Sequence, residues 1–273
     1  MNFLNLTKLN NNYGFYSPGF GANPNSSALK FVPKDFYVNI KGYGKNEKWA
    51  DVIIKTADMG ASLIRRGTSA ENVLKIITCG VIKANKLDFS ITKMENTGIL
   101  RVNRADWKSQ LTDAFTCFTH NRYESYADRL IATREKPLLA PNPKLAMTRP
   151  NEKYPELEHG NPLYINKSLD YVIKLYNKLF PKFTEKEIKS KDLRTVNSTI
   201  AEIRWVLAHA TPWMRGSDAI SNVFIRAIYK ALGIKTFPLA KGISLDLEAY
   251  CTDLKDYKKN FITYFQKAPE IVD

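Results

Sequence analysis

The sequence predicts a mainly α protein, a helical core with a small N-terminal β region, and three observations carry that expectation. Apolar residues recur at three- and four-residue spacing in stretch after stretch between residues 48 and 267, the period that lines side chains along one helix face. Helix-opening signatures stand at Thr68-Ser-Ala-Glu71 and Thr184-Glu-Lys-Glu187, each a hydroxyl followed three residues later by Glu. Period-two alternation is confined to a short stretch, Phe36-Tyr-Val-Asn-Ile40, which ends near Gly42 and reads as one strand of a small hairpin or sheet.

In chain order, residues 1–29 hold a single charge, Lys8, among Asn, Ser, Gly and Pro, and are expected to be a flexible leader. Such an uncharged leader is similar to the unstructured export signals of injected bacterial proteins. Residues 30–135 are expected to form an N-terminal lobe. After the strand, Trp49, Ile53, Ala57, Ala61 and Ile64 share a helix face, and a second helix carries Val73, Leu74, Ile77 and Val81. Asn96-Thr-Gly98 marks a turn, and Asp106 is read as the cap of a long helix to about residue 133, through Leu111, Phe115, Phe118, Tyr126 and Leu130.

A proline-rich stretch, 136–164, is expected to connect this lobe to a C-terminal helical lobe over 165–273. There Leu169, Val172, Ile173, Tyr176 and Leu179 form one stripe, and Ile200, Ile203 and Leu207 lead to His209. The next helix is expected to start on a Ser217 or Asp218 cap, to bury Ile220, Val223, Phe224, Ala227 and Ile228, and to stop at Gly233. Asp246 is read as opening a last continuous helix through Leu247, Tyr250, Leu254, Tyr257, Phe261 and Phe265.

Composition narrows the function. The chain has 273 residues and is 44% hydrophobic, enough for a substantial core, with no apolar run long enough to span a membrane and no secretory signal pattern. The expected location is cytoplasmic, or secreted into a host cell without a cleaved signal peptide. Cys79, Cys117 and Cys251 match no metal or disulfide spacing and are expected to be buried apolar residues. Lys+Arg 41 against Asp+Glu 27 gives a net charge of +14, which attracts polyanions without choosing among nucleic acid, acidic lipid and nucleotide. Its main local cluster is Lys186, Lys189, Lys191 and Arg194.

The most informative stretch is Trp205-Val-Leu-Ala-His209-Ala-Thr-Pro212-Trp213-Met-Arg215-Gly216-Ser217-Asp218. Pro212 fixes its own φ and disfavours helix at Thr211, so the helix carrying His209 should end at once, leaving the imidazole at a solvent-facing corner. The first amides of the following helix lack intrahelical acceptors, and Gly216 has no side chain to block an approaching phosphate. Arg215, Gly216 and Ser217 are therefore the candidate anion cradle, with Asn222 and Arg226 as supporting contacts on the polar side and His209 as the candidate general base.

His209, Pro212-Trp213, Arg215-Gly216-Ser217 and Arg226, together with the flanks Thr199-Ile-Ala-Glu-Ile-Arg204 and Ala231-Leu-Gly-Ile234, resemble the Fic family motif over about residues 196–234. In that family a histidine, a Pro-Phe pair, an acidic residue, Gly-Asn-Gly-Arg and a later Arg line a nucleotide site. This chain departs from the pattern: two residues separate His209 from Pro212, Met214 or Arg215 falls at the acidic metal-binding position, and Ser217-Asp218 replaces Asn-Gly. The resemblance implies transfer of a nucleotide phosphate to a protein hydroxyl, with ATP or another nucleotide as donor and no clear Mg2+ ligand.

A second constellation places His120 and Glu124 four residues apart on one helix face, where the carboxylate could orient the ring, with Arg122, Arg129 and Arg134 nearby. Such a spacing is common by chance on helices, and a solvated ion pair is the simpler account of it. His159 stands among acidic residues in the proline-rich stretch without a metal-ligand spacing, and is expected to be a hydrated loop residue. There is no P-loop, GxSxG elbow or dinucleotide glycine run. The expected function is that of a bacterial toxin or effector transferase moving a nucleotidyl or phosphoryl group onto a hydroxyl of a protein substrate, including a host protein. The alternative is a non-catalytic basic protein that binds an acidic partner, a membrane surface or nucleic acid.

Overall fold

The computed structural model describes residues 47–87, 96–102, 108–110, 144–146, 156–159, 162–183, 190–240 and 243–272. The expected leader, the strand at 36–40, the Thr184–Glu187 capping box, Cys117, His120 and Glu124 lie outside these residues. The described fold is mainly α.

Helix α1 (Glu47–Arg65) buries the predicted face, with Ile53 and Ala57 fully shielded. Helix α2 (Ala70–Asn85) opens one residue later than the capping box suggested: Ser69 is the N-cap, and its hydroxyl accepts from the Asn72 amide. The two helices cross at Gly80, where an added Cβ would lie 2.2–2.8 Å from Thr56 side-chain atoms. The missing side chain is what lets their backbones approach. After a turn in which Asn96 and Gly98 have left-handed φ of 73° and 77°, residues 97–101 run as a strap beside residues 211–215.

Lys108–Gln110 (β1), Lys144–Ala146 (β2) and Glu156–Glu158 (β3) form an antiparallel sheet with β3 in the middle, Lys108 and Lys144 both facing Glu158 in register. This corrects two expectations. Residues 108–110 are strand and not the start of a helix at Asp106, and the proline-rich connector supplies two of the three strands. Pairing with a partner nearly fifty residues away overrides the local helical spacing, because ladder hydrogen bonds need no periodicity in either strand.

The rest is helical as expected: α3 (Leu163–Phe183), α4 (Ser190–Ala210) and α5 (Ser217–Ala231). Gly233, with φ of 71°, follows the C-cap of α5, and Ile234–Lys235 (β4) then pairs antiparallel with Glu270–Ile271 (β5). The last expected helix is broken into α6 (Leu245–Tyr250), α7 (Leu254–Asn260) and a 3-10 turn (Phe261–Tyr264). The break has two causes. Asp253 caps α7 by accepting from the Asp256 amide at 2.9 Å, and the Trp205 indole donates to the Thr252 carbonyl at 3.0 Å, holding the linking turn in place.

One hydrophobic cluster runs from Trp49 to Phe265, so the N-terminal helices and the C-terminal helices share a core. Helix α1 packs on α2 and α5, while α4 packs on α3, α5, α6 and α7. Helix α4 is the axis of the molecule, and every residue from Ile203 to Met214 is buried. Two ionisable side chains, Arg204 and His209, fall in that dry stretch and need internal partners. Cys251 is buried as expected; Cys79 is exposed on α2, because its position falls on the face away from α1 and the core.

Candidate functional site

The corner after α4 is built by the strap. Amides of Gly98, Arg101 and Met214 bond the carbonyls of Arg215, Pro212 and Ile99 at 3.1, 2.9 and 2.9 Å, sewing residues 98–101 to 212–215. Arg101 then turns inward. Its Nε donates to the Thr211 carbonyl at 3.1 Å and its Nη2 to the Ala210 carbonyl at 2.9 Å, so a guanidinium satisfies the bare C-terminus of α4 where the helix dipole favours positive charge. Burial lowers the Arg101 pKa to about 10.

Thr211 has φ of 40°, unusual for a β-branched residue. Its hydroxyl donates to the Ala208 carbonyl at 2.8 Å and meets His159 Nδ1 at 3.1 Å. With the hydroxyl hydrogen given to Ala208, His159 carries its proton on Nδ1. His159 is thus a buried strut and not a hydrated loop residue, and burial, followed by the Arg101 charge, lowers its pKa to about 3.

His209 is 1% exposed. Its ring stacks on Trp205 at 3.6 Å between centroids and meets Tyr250 edge-on at 5.9 Å, while Nδ1 donates to the Trp205 carbonyl at 2.8 Å. Burial is the main cause, and nearby Arg204 a further one, of a pKa lowered to about 4. The expectation of a solvent-facing imidazole is therefore corrected. Proline does end α4 on schedule, but α6 closes over the corner from a distant part of the sequence.

The cradle residues are placed differently from one another. Gly216, φ 82°, is the N-cap of α5 in the left-handed conformation, so neither Ser217 nor Asp218 caps the helix by side chain. A Cβ there would also press Thr97 at 3.3 Å. Ser217 bends back: its hydroxyl donates to the Trp213 carbonyl at 2.7 Å and accepts from the Trp213 amide at 3.0 Å. Arg215 and Gly216 are half-buried at the rim. The side chains of Asn222 and Arg226 are buried, not on a polar outer face as expected, since α5 is covered by α1 on one side and α4 on the other.

What the fold gathers instead is a cluster around Arg204, which is wholly buried on α4. Its Nε donates to Asn222 Oδ1 at 2.8 Å and its Nη2 pairs with Asp218, while Asn222 Nδ2 donates to the other Asp218 oxygen at 3.1 Å. Nη1 of Arg204 is buried without a hydrogen-bond partner. Asp246 approaches from α6, anchored by the Ser244 hydroxyl and by the Leu247 amide at 2.9 Å. Two carboxylates thus flank one guanidinium. Burial first, and then Asp246, push the Asp218 pKa up to about 7, against the pull of Arg204 and Asn222. Asp218 keeps 27% of its side chain exposed, so it can exchange a proton with a bound molecule.

Sequence periodicity missed Arg204, Asp246 and Arg101 as site residues, and read Asp218 only as a cap. One signal was present: a charge inside the apolar run Ile203-Arg-Trp-Val-Leu-Ala must find a counter-charge when the run is buried. Among the described residues, no group of three or more His, Cys, Asp or Glu could hold a metal ion, and no helix is long and apolar enough to cross a membrane.

No individual curated protein matches the chain. The sequence profile of the AvrB/AvrC avirulence proteins matches residues 108–268, more than half of the chain, and reaches from β1 to the segment before β5. That match overturns the resemblance to the Fic family, whose expected catalytic histidine is here sealed beneath an indole. The chain belongs to the AvrB/AvrC avirulence protein family, bacterial effectors delivered into host cells, where their partners are host proteins.

Proposed function

We propose that this effector transfers a nucleotidyl or phosphoryl group from a nucleotide such as ATP to a hydroxyl of a host protein, using Asp218 in place of His209 as the base. The observation that carries this reading is a carboxyl group tuned near neutrality, partly exposed, and clamped by a buried arginine in the first turn of a helix. Asp218 takes the proton of the attacking hydroxyl. A new bond forms from that oxygen to phosphorus, and the bond to the leaving phosphate oxygen breaks. The amides of Ser217, Asp218 and Ala219 have no intrahelical acceptor, and together with Arg215 they supply positive potential for the phosphoryl oxygens. Arg204 and Asn222 fix the Asp218 carboxyl in one orientation.

The test is incubation with radiolabelled ATP and a host-cell extract at pH 7.5, with wild type beside Asp218→Asn and Arg215→Ala, each shown to be folded by circular dichroism. Wild type should label protein, Asp218→Asn should lose labelling by about a hundredfold or more, and Arg215→Ala should weaken it. Equal labelling by all three would refute the assignment. The sealed His209 favours a second reading, in which the protein acts by binding alone, and absence of labelling by wild type would support it.

A further inference from the structure

Outside the site, the exposed side of α3, α4 and α7 has a charge arrangement that neither the fold nor the proposed chemistry uses. Glu202, midway along α4, is bonded from both sides: the Tyr171 hydroxyl of α3 donates to Oε1 and Lys258 Nζ of α7 donates to Oε2, both at 2.5 Å. These two bonds fix α3 and α7 as banks on either side of α4. On the first bank Lys167, Lys174 and Lys178 are exposed within about two-thirds of a right angle of Tyr171 around the helix, given 100° per residue. On the second, Lys255 and Lys259 are exposed at about 60° and about 100° from Lys258 around the helix, both to one side of it, and the exposed Asp256 lies farther round, about 160° from Lys258.

The floor between the banks is neutral. Ser198 and Thr195, one and two turns before Glu202 on the same α4 face, each offer a hydroxyl, and the Glu202 carboxylate is already consumed by Lys258 and Tyr171. Lysines facing each other across a polar strip attract an anion that lies along the strip. An acidic peptide satisfies both features, since its carboxylates can reach the ammonium groups and its backbone can bond the hydroxyls of Thr195 and Ser198. A single-stranded nucleic acid stacks successive bases on successive aromatic faces, and among the described residues this strip offers one exposed ring, Tyr164 on α3, while Tyr171 is half-buried with its hydroxyl engaged.

We propose that the α3/α4/α7 face is a docking surface for an acidic segment of the host protein partner. This rests on the proposed function only in taking a protein as the target, and binding is measured without ATP. The probe is a fluorescein-labelled peptide of fifteen residues rich in Asp and Glu, titrated by anisotropy at low and at physiological salt. Lys174→Glu/Lys178→Glu and Lys255→Glu/Lys259→Glu should each weaken binding tenfold or more, and salt should weaken the wild-type complex steeply. Lys55→Glu/Lys86→Glu, exposed lysines on α1 and at the C-cap of α2 carrying the same charge change, should cost less than threefold. Asp218→Asn should bind as wild type does, and wild-type protein that binds the peptide yet labels no protein with ATP refutes the chemistry and not the surface. Equal weakening by all three lysine pairs, or binding of phosphatidylserine vesicles or oligouridylate in preference to the peptide, overturns the proposal.

Discussion

Replacing Asp218 with Asn removes one titrating proton and little volume, so the change should read out as a change in the pH dependence of stability. In the folded chain the Asp218 pKa is raised from 3.8 to about 7, chiefly by burial and secondarily by Asp246. The folded state therefore holds a proton that the unfolded chain has released. Stability from this group is complete below about pH 4, falls as pH rises, and levels off above pH 7. A raised acid pKa thus acts opposite to the usual depressed carboxylate. At about 1.4 kcal/mol per unit, the shift of roughly three units corresponds to about 4 kcal/mol across that window. Asn at 218 still accepts from Arg204 but carries no proton, so its curve lacks the decline. His209 and His159 titrate identically in both proteins and cancel in the difference. Urea unfolding at pH 4.5, 5.5, 6.5 and 7.5 and constant ionic strength should show the variant gaining about 3 kcal/mol on wild type between the first and third points. A constant difference across pH would show Asp218 ionised throughout in the folded state. Arg204 would then outweigh burial, and a general-base role for Asp218 would lose its physical ground.

Arg101→Met removes a guanidinium that donates to two carbonyls at the end of α4. Two charge-assisted bonds contribute about 3–6 kcal/mol, keeping the charge buried costs about 3 kcal/mol, and the carbonyls are left dry. A net loss of about 2 kcal/mol is expected, with faster hydrogen exchange confined to the amides near Thr211 and Met214; no change in exchange there would refute the clasp. Gly80→Ala places a methyl group within 2.8 Å of Thr56, and overpacking of about 2–3 kcal/mol outweighs a helix-propensity gain of about 1 kcal/mol. Thermal unfolding should show a lower Tm for Gly80→Ala and partial recovery in Gly80→Ala/Thr56→Ala.

The faces of α1, α2 and α5 were legible because each depends on contacts three or four residues apart, which a linear pattern records directly. Trp49, Ile53, Ala57, Ala61 and Ile64 are buried as their spacing requires, and Gly233 stops α5 because only a residue without a Cβ takes that φ without strain. The end of α4 near Pro212 was legible for the same local reason. Strand β1 was not, since its partner lies beyond a long stretch of chain, and neither was the break at Cys251–Asp253, where an indole from α4 holds the turn.

By itself the sequence determined a mainly α chain, the limits of its central helices and the corner at residues 210–216, all consequences of interactions within a turn or two of backbone. Tertiary structure alone decided the chemistry available there. It buried His209 under Trp205 and Tyr250, and it brought Asp218 and Asp246, twenty-eight positions apart, to one guanidinium. Desolvation and charge pairing act through space, so no local pattern could show which ionisable group would remain within reach of a substrate.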